Sequence, residues 1–584
     1  MCGIIGFSGK DNAIPYLVEG IKNLEYRGYD SCGCAFLSDG SVKVIKDVGR
    51  IDSLISKFKV NSINSSTAIF HTRWATTGEV TKENAHPMTD CSKRIAVVHN
   101  GIIENWKELK ESLRDHIFVS DTDTEVLAHL LEEKLGDGNT LADAAQKVYG
   151  LIRGRSSFVA IDSKTEEVVA VKKGSPLVLG VSKNGNFIAS DVPSFIKYTN
   201  NVIFLNDGDT VVLKRNKYTI SSMTGKLPRH VLTKVKLSHL SAGKGKYEHF
   251  MLKEIMEQPY LIKKLSESDF PSLSRAADAV KSARRVYILG SGTSFHASLI
   301  GAKMLREKGI DALAIQGQEL KSFRKLIKGD DVFVLVSQSG ETADLIEVLP
   351  DIEKNIKISV INVEGSTIAR AGGIVININA GQEKAVASTK AFVMTSIFLT
   401  LLAEKVGGGF DKAIGELKLL NLDIYNIFVP SVERAMNEIA KRIVHMHGLF
   451  YLGIDKDYTV AAEGALKMKE IAYLQAESID AVRFKHGPLA LISKDVFSVA
   501  VVSKNTRDVI LHNLDEIKAR GGKIIGIADK PAPEFDLFIK VPQANLFDFV
   551  MPTIIMQLLA YKVAVLKKLD PDFPRNLAKS VTTK

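Results

Sequence analysis

Four cysteines in 584 residues are too few for a disulfide scaffold. They are Cys2, Cys32, Cys34 and Cys91, and none forms a C-x-x-C pair, so no structural-zinc signature is present and no metal is expected. The N-terminus lacks a basic segment followed by an apolar run, so no secretory signal is visible. The most apolar helical stretches, Val393–Ala403 and Thr553–Leu566, are too short or too interrupted to span a bilayer. The net charge of +10 is spread along the chain without a long basic block. Nucleic-acid binding therefore lacks the concentrated basic face it needs. Neither a Walker A sequence nor a G-x-G-x-x-G motif occurs, which makes a nucleotide a poorer ligand guess than a sugar phosphate. Together these absences point to a reducing cytoplasm, with no membrane, nucleic acid or cofactor expected.

What is present is ordinary for a large globular protein: 45% hydrophobic and 25% charged residues, enough chain for several cores. Residues 1–220 read as many short β segments with a few helices. Gly3–Ser8, Thr67–His71, Ile95–Asn100, Phe158–Asp162, Val168–Lys172, Phe187–Ser190 and Thr210–Leu213 alternate apolar and polar residues between Gly, Asn and Asp punctuation. A polar Lys/Gly/Ser-rich stretch over 221–246 reads as a linker. From Tyr247 onward apolar strands alternate with long amphipathic helices, the pattern of a parallel α/β fold.

That C-terminal half repeats itself. Val286-Tyr-Ile-Leu-Gly290 parallels Phe450-Tyr-Leu-Gly453, and Asp331-Val-Phe-Val-Leu-Val-Ser337 parallels the segment from Asp495 to Ser503. The offset is near 164 residues, which takes Tyr287 to Tyr451 and Asp331 to Asp495. Two later matches in the same order support a duplicated domain. The copies differ where chemistry would sit. The first has Gly290-Ser-Gly-Thr-Ser294 and Ser337-Gln-Ser-Gly-Glu-Thr342; the second has Ile454-Asp-Lys456 and Ser503-Lys-Asn-Thr506. Small residues, free N–H groups and a following helix dipole suit a phosphate in the first copy. Each Ser or Thr could instead be a helix cap.

Three further constellations carry chemistry. Removal of Met1 would leave Cys2 as a thiol with a free α-amino group, nucleophile and base on one residue; otherwise it is an ordinary thiol at a frayed end. His71-Thr-Arg73-Trp74, His99-Asn100-Gly101 and the Ser120–Glu125 run could supply Arg73 for a carboxylate and Asp123 for an ammonium. Asn100 and Gly101 would then donate to an oxyanion. Asp121 or Asp123 could instead cap the next helix. In the second copy Glu463, Lys467 and Glu470 stand at i, i+4 and i+7, one face of a helix, as a proton-handling group or as a solvated salt bridge. His486, in the turn Lys485-His-Gly-Pro488, could be an acid/base or a plain loop histidine.

Taken together these segments closely resemble the isomerising glutamine–fructose-6-phosphate aminotransferase family. The resemblance covers nearly the whole chain, in family order. It runs through Met1-Cys-Gly-Ile-Ile-Gly6, Leu24-Glu-Tyr-Arg-Gly-Tyr-Asp-Ser31, His71-Thr-Arg-Trp-Ala-Thr76, His99-Asn-Gly-Ile-Ile-Glu-Asn105 and Ser337–Thr342. It continues through Val386-Ala-Ser-Thr-Lys-Ala-Phe392, Glu463–Glu470, Lys485–Leu491 and Pro574–Val581.

The resemblance implies an N-terminal-nucleophile αββα glutaminase (2–220) and a linker (221–246). Two α/β sugar-isomerase (SIS) domains with flavodoxin-like parallel sheets follow (247–420 and 421–569), then a tail (570–584) over the sugar. It further implies that Cys2 attacks glutamine, that Asn100 and Gly101 line the oxyanion hole, and that Arg73 and Asp123 hold the amino acid. Thr293, Ser294, Ser337, Gln338, Ser339 and Thr342 would bind the sugar phosphate, with Ser388 nearby. Glu470 would move the proton between C1 and C2, Lys467 would stabilise the open-chain intermediate, and His486, from the partner of a homodimer, would open the ring. Lys579 would form a Schiff base with the ketose, and Trp74 would gate an ammonia channel.

Thr77, Met88, Ser291, Phe295 and Gln382-Glu383-Lys384 depart from the family's usual residues without removing a catalytic group. Three other readings compete. An amidotransferase making another product would need a nucleotide or pyrophosphate loop, which is missing. A sugar-phosphate sensor or a glutamine-independent isomerase would not need Cys2 together with Glu470, His486 and Lys579.

Overall fold

The computed structural model describes residues 2–223, 230–235 and 243–580. The chain divides into two compact units, Met1–Ser238 with Ala578–Lys584, and His239–Leu577.

The first unit contains two antiparallel sheets. The eight-stranded sheet runs Thr233–Lys234, Asn201–Phe204, Val178–Gly180, Gly185–Ala189, Gly3–Gly9, Thr67–Arg73, Ser31–Ser38, Ser41–Val48. The six-stranded sheet runs Lys217–Ser222, Asp209–Lys214, Glu167–Val171, Ser156–Asp162, Ile95–Gly101, Met88–Thr89. Alternation sorts the side chains into layers, because successive residues of a strand face opposite ways. Ile4, Ile69, Val98, Val159 and Ile188 fill the space between the sheets. Ile5, Phe7 and Phe70 face outward onto the helix Ala13–Lys22. Val97, Phe158 and Val169 face the other way, onto the helices Thr124–Gly136 and Leu141–Leu151. The result is an αββα sandwich. Within the expected linker, residues 224–229 and 236–242 lie outside the described residues, while Thr233–Lys234 pairs with Asn201–Val202 as an edge strand.

The second unit holds two five-stranded parallel sheets of identical topology, in which the chain-order strands lie 2-1-3-4-5. In the first sheet the central strands are Val286–Gly290 and Val332–Ser337; in the second they are Gly448–Gly453 and Phe497–Val502. Their continuous apolar runs are what a parallel sheet covered on both faces requires. One core joins the sheets: Val286 and Ile288 from the first and Leu449 and Tyr451 from the second pack with the helices Lys390–Val406, Lys456–Ala472 and Val550–Leu566. The opposite faces carry separate clusters around Tyr287 and Leu289 and around Phe450 and Leu452.

The segment Thr553–Leu566, too short by sequence to cross a membrane, belongs to a 22-residue stretch, Asn545–Leu566, that is long and apolar enough to do so. It is 83% buried inside the fold, which marks a core helix. The difference arises because the turn Asn545–Phe547 runs directly into Val550–Leu566.

Candidate active site

Cys2 and Arg73 are neighbours by register. Gly3 stands opposite Thr72, so the preceding and following residues leave their strands side by side. The Trp74 amide donates to Cys2 Sγ at 3.2 Å. Burial pushes the Cys2 thiol upward; the chain's amino terminus, the Trp74 amide and Arg73 pull it partly back. The thiol therefore rests protonated near neutral pH and needs a base to become a nucleophile. Arg73 is buried, and its guanidinium donates to the carbonyls of Thr77 at 2.5 Å and of Gly78 and Glu79 at 3.2 Å. The unusual Thr77 thus contributes a carbonyl, which any residue supplies.

Asp123 precedes the helix Thr124–Gly136 but makes no side-chain cap there. Its Oδ2 accepts from the Ile103 amide at 2.8 Å instead, and its negative charge reaches both Cys2 and Arg73. Asn100 and Gly101 end the strand Ile95–Gly101. Asn100 Oδ1 is buried without a hydrogen bond. Gly101 sits at φ +130°, and a Cβ there would stand 1.8 Å from the Arg155 carbonyl oxygen, so only glycine fits. His71 Nε2 lies 3.0 Å from the His99 carbonyl, linking the strand that ends in Arg73 with the one that carries Asn100. Burial holds His71 down to about 3, His86 well below the ordinary range, and His99 low. Trp74 is half-buried, its ring edge-on to Tyr29.

In the second unit, the loops after Val286–Gly290 and Val332–Ser337 open side by side, because these strands are adjacent and parallel. With order 2-1-3-4-5, they flank the topological switch point, where ligands of such sheets bind. The helix Thr293–Glu307 starts at Thr293 and presents its N-terminus there. Ser337 Oγ and Thr342 Oγ1 are 2.7 Å apart, and Ser337 Oγ accepts from the Gly340 amide at 3.0 Å. Gly340 has φ +63°, with Ser366 Oγ 1.9 Å from where a Cβ would be. Ser339 Oγ accepts the Glu341 amide at 3.2 Å, and the Gln338 carbonyl accepts the Asn362 amide at 3.1 Å. Ser294, Gln338, Ser339 and Thr342 are half-buried, as a ligand-facing rim would be. Ser388 donates to Glu383 at 3.0 Å; the same carboxylate accepts the amides of Thr389 and Ala391 and so caps the helix Lys390–Val406.

Glu463, Lys467 and Glu470 do not form a solvated salt bridge. Lys467 is 0% exposed, with Nζ 3.3 Å from Glu463 Oε1 and 2.5 Å from Glu470 Oε2. Lys467 Nζ also donates to Thr293 Oγ1 at 3.1 Å, which ties this helix to the first copy's phosphate-type loop. Desolvation alone would lower the ammonium; the two carboxylates outweigh it and hold Lys467 charged, above its ordinary value. Glu470 is half-buried and open to a ligand. His296 joins the cluster, its Nδ1 2.7 Å from Glu463 Oε2. The sequence holds one signal for it, a position about one helical turn after Thr293.

His486 is exposed on the short turn Phe484–His486. Tail residues up to Leu577 belong to the second unit. There the Arg575 amide donates to Tyr473 Oη at 2.6 Å, three residues beyond Glu470. Lys579 is half-buried and groups with the first unit.

Known proteins fit this architecture. A glutamine amidotransferase domain family matches residues 71–197, and the SIS domain family matches 280–405 and 442–536. Glutamine–fructose-6-phosphate aminotransferase (isomerizing) of Pyrococcus horikoshii is 38% identical over 609 aligned residues, covering 100% of both chains. The Thermus thermophilus protein of the same name is 38% identical over 612, again with full coverage of both. The solved C-terminal domain of glucosamine-fructose-6-phosphate aminotransferase from Francisella tularensis is 30% identical, with TM-score 0.53, covering 57% of this chain and 100% of that one. By full-length similarity at this identity, the chain belongs to the isomerising glutamine–fructose-6-phosphate aminotransferase family.

Proposed function

We propose that this protein makes glucosamine 6-phosphate and glutamate from fructose 6-phosphate and glutamine, the first step of amino-sugar nucleotide biosynthesis in the cytoplasm. Arg73 and Asp123 hold the α-carboxylate and α-ammonium of glutamine. Once Met1 is removed, the α-amine of Cys2 takes the thiol proton, and the sulfur attacks the side-chain amide carbon. Asn100 Nδ2 and the Gly101 N–H donate to the oxyanion. The C–N bond breaks, the proton passes to the departing nitrogen, and ammonia leaves a glutamyl thioester that water hydrolyses to glutamate.

The sugar phosphate lies in the Thr293–Ser294 and Ser337–Thr342 loops, with Ser388 at their edge. His486, supplied by the partner in a homodimer, opens the ring. Lys579 forms the Schiff base with the open ketose, and ammonia displaces it. Glu470 then carries a proton between C1 and C2, while Lys467 stabilises the charge that develops. Ammonia reaches this site through a dry channel gated by Trp74, because protonated ammonia is not a nucleophile.

The Glu463–Lys467–Glu470 run against Thr293, with Glu463 and Lys467 buried, carries this reading. It places a fixed positive charge and a solvent-reachable carboxylate beside the loop expected to hold phosphate. The test is an assay of the wild type with both substrates, scoring glucosamine 6-phosphate and glutamate. Equal amounts of the two are expected. Cys2→Ala should lose glutamine use, and Glu470→Gln should lose isomerisation while still binding sugar phosphate. No amino sugar from the wild type would refute the proposal.

A further inference from the structure

A second constellation lies in the first unit, apart from the residues assigned above. Cys91, His116, His129 and Glu132 come from a turn, a loop and the helix Thr124–Gly136, yet one potential ligand atom from each falls within 4.8 Å of the others. Cys91 Sγ is 3.6 Å from His116 Nδ1 and 3.6 Å from His129 Nδ1. Glu132 Oε2 is 3.0 Å from His116 Nδ1 and 3.2 Å from His129 Nδ1.

These spacings can be compared with a tetrahedron around zinc. Bond lengths of about 2.3 Å to sulfur and about 2.0–2.1 Å to nitrogen and oxygen give edges of about 3.5–3.6 Å for S···N and about 3.3–3.4 Å for N···O. The observed S···N distances match those edges, and the N···O distances are up to a few tenths of an ångström shorter, so Glu132 must move slightly outward to admit the ion.

The alternative, a hydrogen-bonded cluster without metal, crowds its donors onto one carboxylate oxygen. Two imidazole Nδ1 atoms and a thiol converge, and one Glu132 oxygen is their shared acceptor. His129 is buried, and its Nε2 makes no hydrogen bond. That Nε2 faces Glu125 Oε1 at 3.8 Å, and His116 Nε2 faces Glu133 Oε1 at 3.9 Å. A carboxylate behind each imidazole is the outer shell that orients metal-bound histidines. The Cys91 amide donates to Glu132 Oε2 at 3.1 Å, fixing that carboxylate toward the cluster.

We propose that Cys91, His116, His129 and Glu132 form a four-ligand zinc site in the glutaminase-type unit. Four protein ligands leave no open position, so the site is structural. Mixed S/N/N/O donors favour zinc over magnesium or calcium, which take oxygen. Cys91 is exposed, which gives the metal an entry path. The ion would pin the turn at Cys91 to the helix that follows Asp123. Glu125, behind His129, also accepts the amides of Val119 at 2.8 Å and Ser120 at 2.7 Å. Metal binding would therefore stiffen the Ser120–Asp123 turn, without touching the reacting atoms.

The experiment uses the full-length protein, purified without added metal and dialysed against metal-free buffer. Elemental analysis should find about one zinc per chain in the wild type, and under about a tenth in Cys91→Ala and His129→Ala. Because either variant could fail to fold, Cys91→Ser and His116→Gln are measured beside them, with circular dichroism as the fold check. Chelator-stripped wild type given cobalt(II) should show intense tetrahedral d–d bands and a thiolate-to-cobalt charge-transfer band, and Cys91→Ser should lose the latter. A chelator should lower the melting temperature of the wild type and leave that of folded Cys91→Ser unchanged. A wild type that carries no stoichiometric metal and gives no cobalt spectrum overturns the proposal, as does a charge-transfer band that persists in Cys91→Ser.

Discussion

Lys467 shows how a pattern common on protein surfaces changes meaning with burial. An exposed i, i+4 pair contributes a few tenths of a kcal/mol. Here the ammonium has no solvent contact and two carboxylates, one of them 1% exposed. Removing one member of such a group typically costs about 3–5 kcal/mol, because the remaining charge stays buried and unpaired. Lys467→Met is therefore expected to lower the stability of the second unit by that order. Adding Glu463→Gln should recover part of it but no activity. Denaturant unfolding of the three proteins tests this, and a single variant as stable as wild type contradicts it. The buried histidines give a pH prediction with a definite sign. His71 binds its proton at about 3 when folded and near 6.5 when unfolded. Below 6.5 the unfolded chain takes up a proton that the folded one refuses, so stability falls with pH until about 3, where the loss levels off. His71 alone should cost about 2 kcal/mol by pH 5, with His86 and His99 adding to it. The first unit should become acid-labile below pH 6.5, with a shallower slope in a folded His71→Asn variant.

At the scale of elements, the duplication explains where sequence matching succeeded and where it slipped. Both copies make the same turn after the first strand: Gly292 has φ 56° and ψ −127°, and Asp455 has φ 58° and ψ −123°. Aligning these turns pairs Tyr287 with Phe450, each on the outer face of its sheet, and leaves Tyr451 with Ile288 on the inner face. The match of Tyr287 to Tyr451 was thus one residue out of register, a slip that reverses faces in a strand. Identical letters outweighed the turn, whose geometry no letter records. The same turn yields a prediction. Only glycine adopts it without strain of about 1–3 kcal/mol. Asp455 makes one exposed ion pair, with Lys303 at 3.4 Å, which offsets little of that. Asp455→Gly should therefore raise stability by about 1 kcal/mol, read as a higher melting temperature; a decrease would show that the ion pair outweighs the strain. The proposed zinc ligands illustrate the opposite limit. A lone Cys91 carries no metal-site spacing in the sequence, because its partners become neighbours only when the turn at 91 folds against the helix carrying His129 and Glu132.

On the scale of the whole molecule, strand patterns announced a β-rich half and the repeat a duplicated parallel α/β half, because periodicity is set locally, while the αββα layering of the first half followed only from the family resemblance. The individual strands Gly3–Gly9, Thr67–Arg73 and Ile95–Gly101 lie within a residue or two of where alternation placed them. The strands Ser31–Ser38 and Ser41–Val48 are two more of the short β segments of this half; the first carries Cys32, Gly33 and Cys34, poor strand signals individually. No local pattern records how, on the proposed function, ammonia made in one unit would serve the other. Trp74 follows Arg73 directly, and its amide holds the Cys2 sulfur while its ring remains only half-buried. Backbone and ring therefore separate two roles: any residue supplies the amide that meets the Cys2 sulfur, whereas the indole, edge-on to Tyr29, is specific to tryptophan. On the proposed function, Trp74→Ala keeps the thiol positioned and glutamine hydrolysis close to the wild-type rate, while released ammonia escapes into solvent and is protonated. Glutamate should then exceed glucosamine 6-phosphate several-fold, and Trp74→Phe should lie between Ala and wild type. A one-to-one ratio in Trp74→Ala would remove the indole from ammonia transfer and leave it as packing around Cys2.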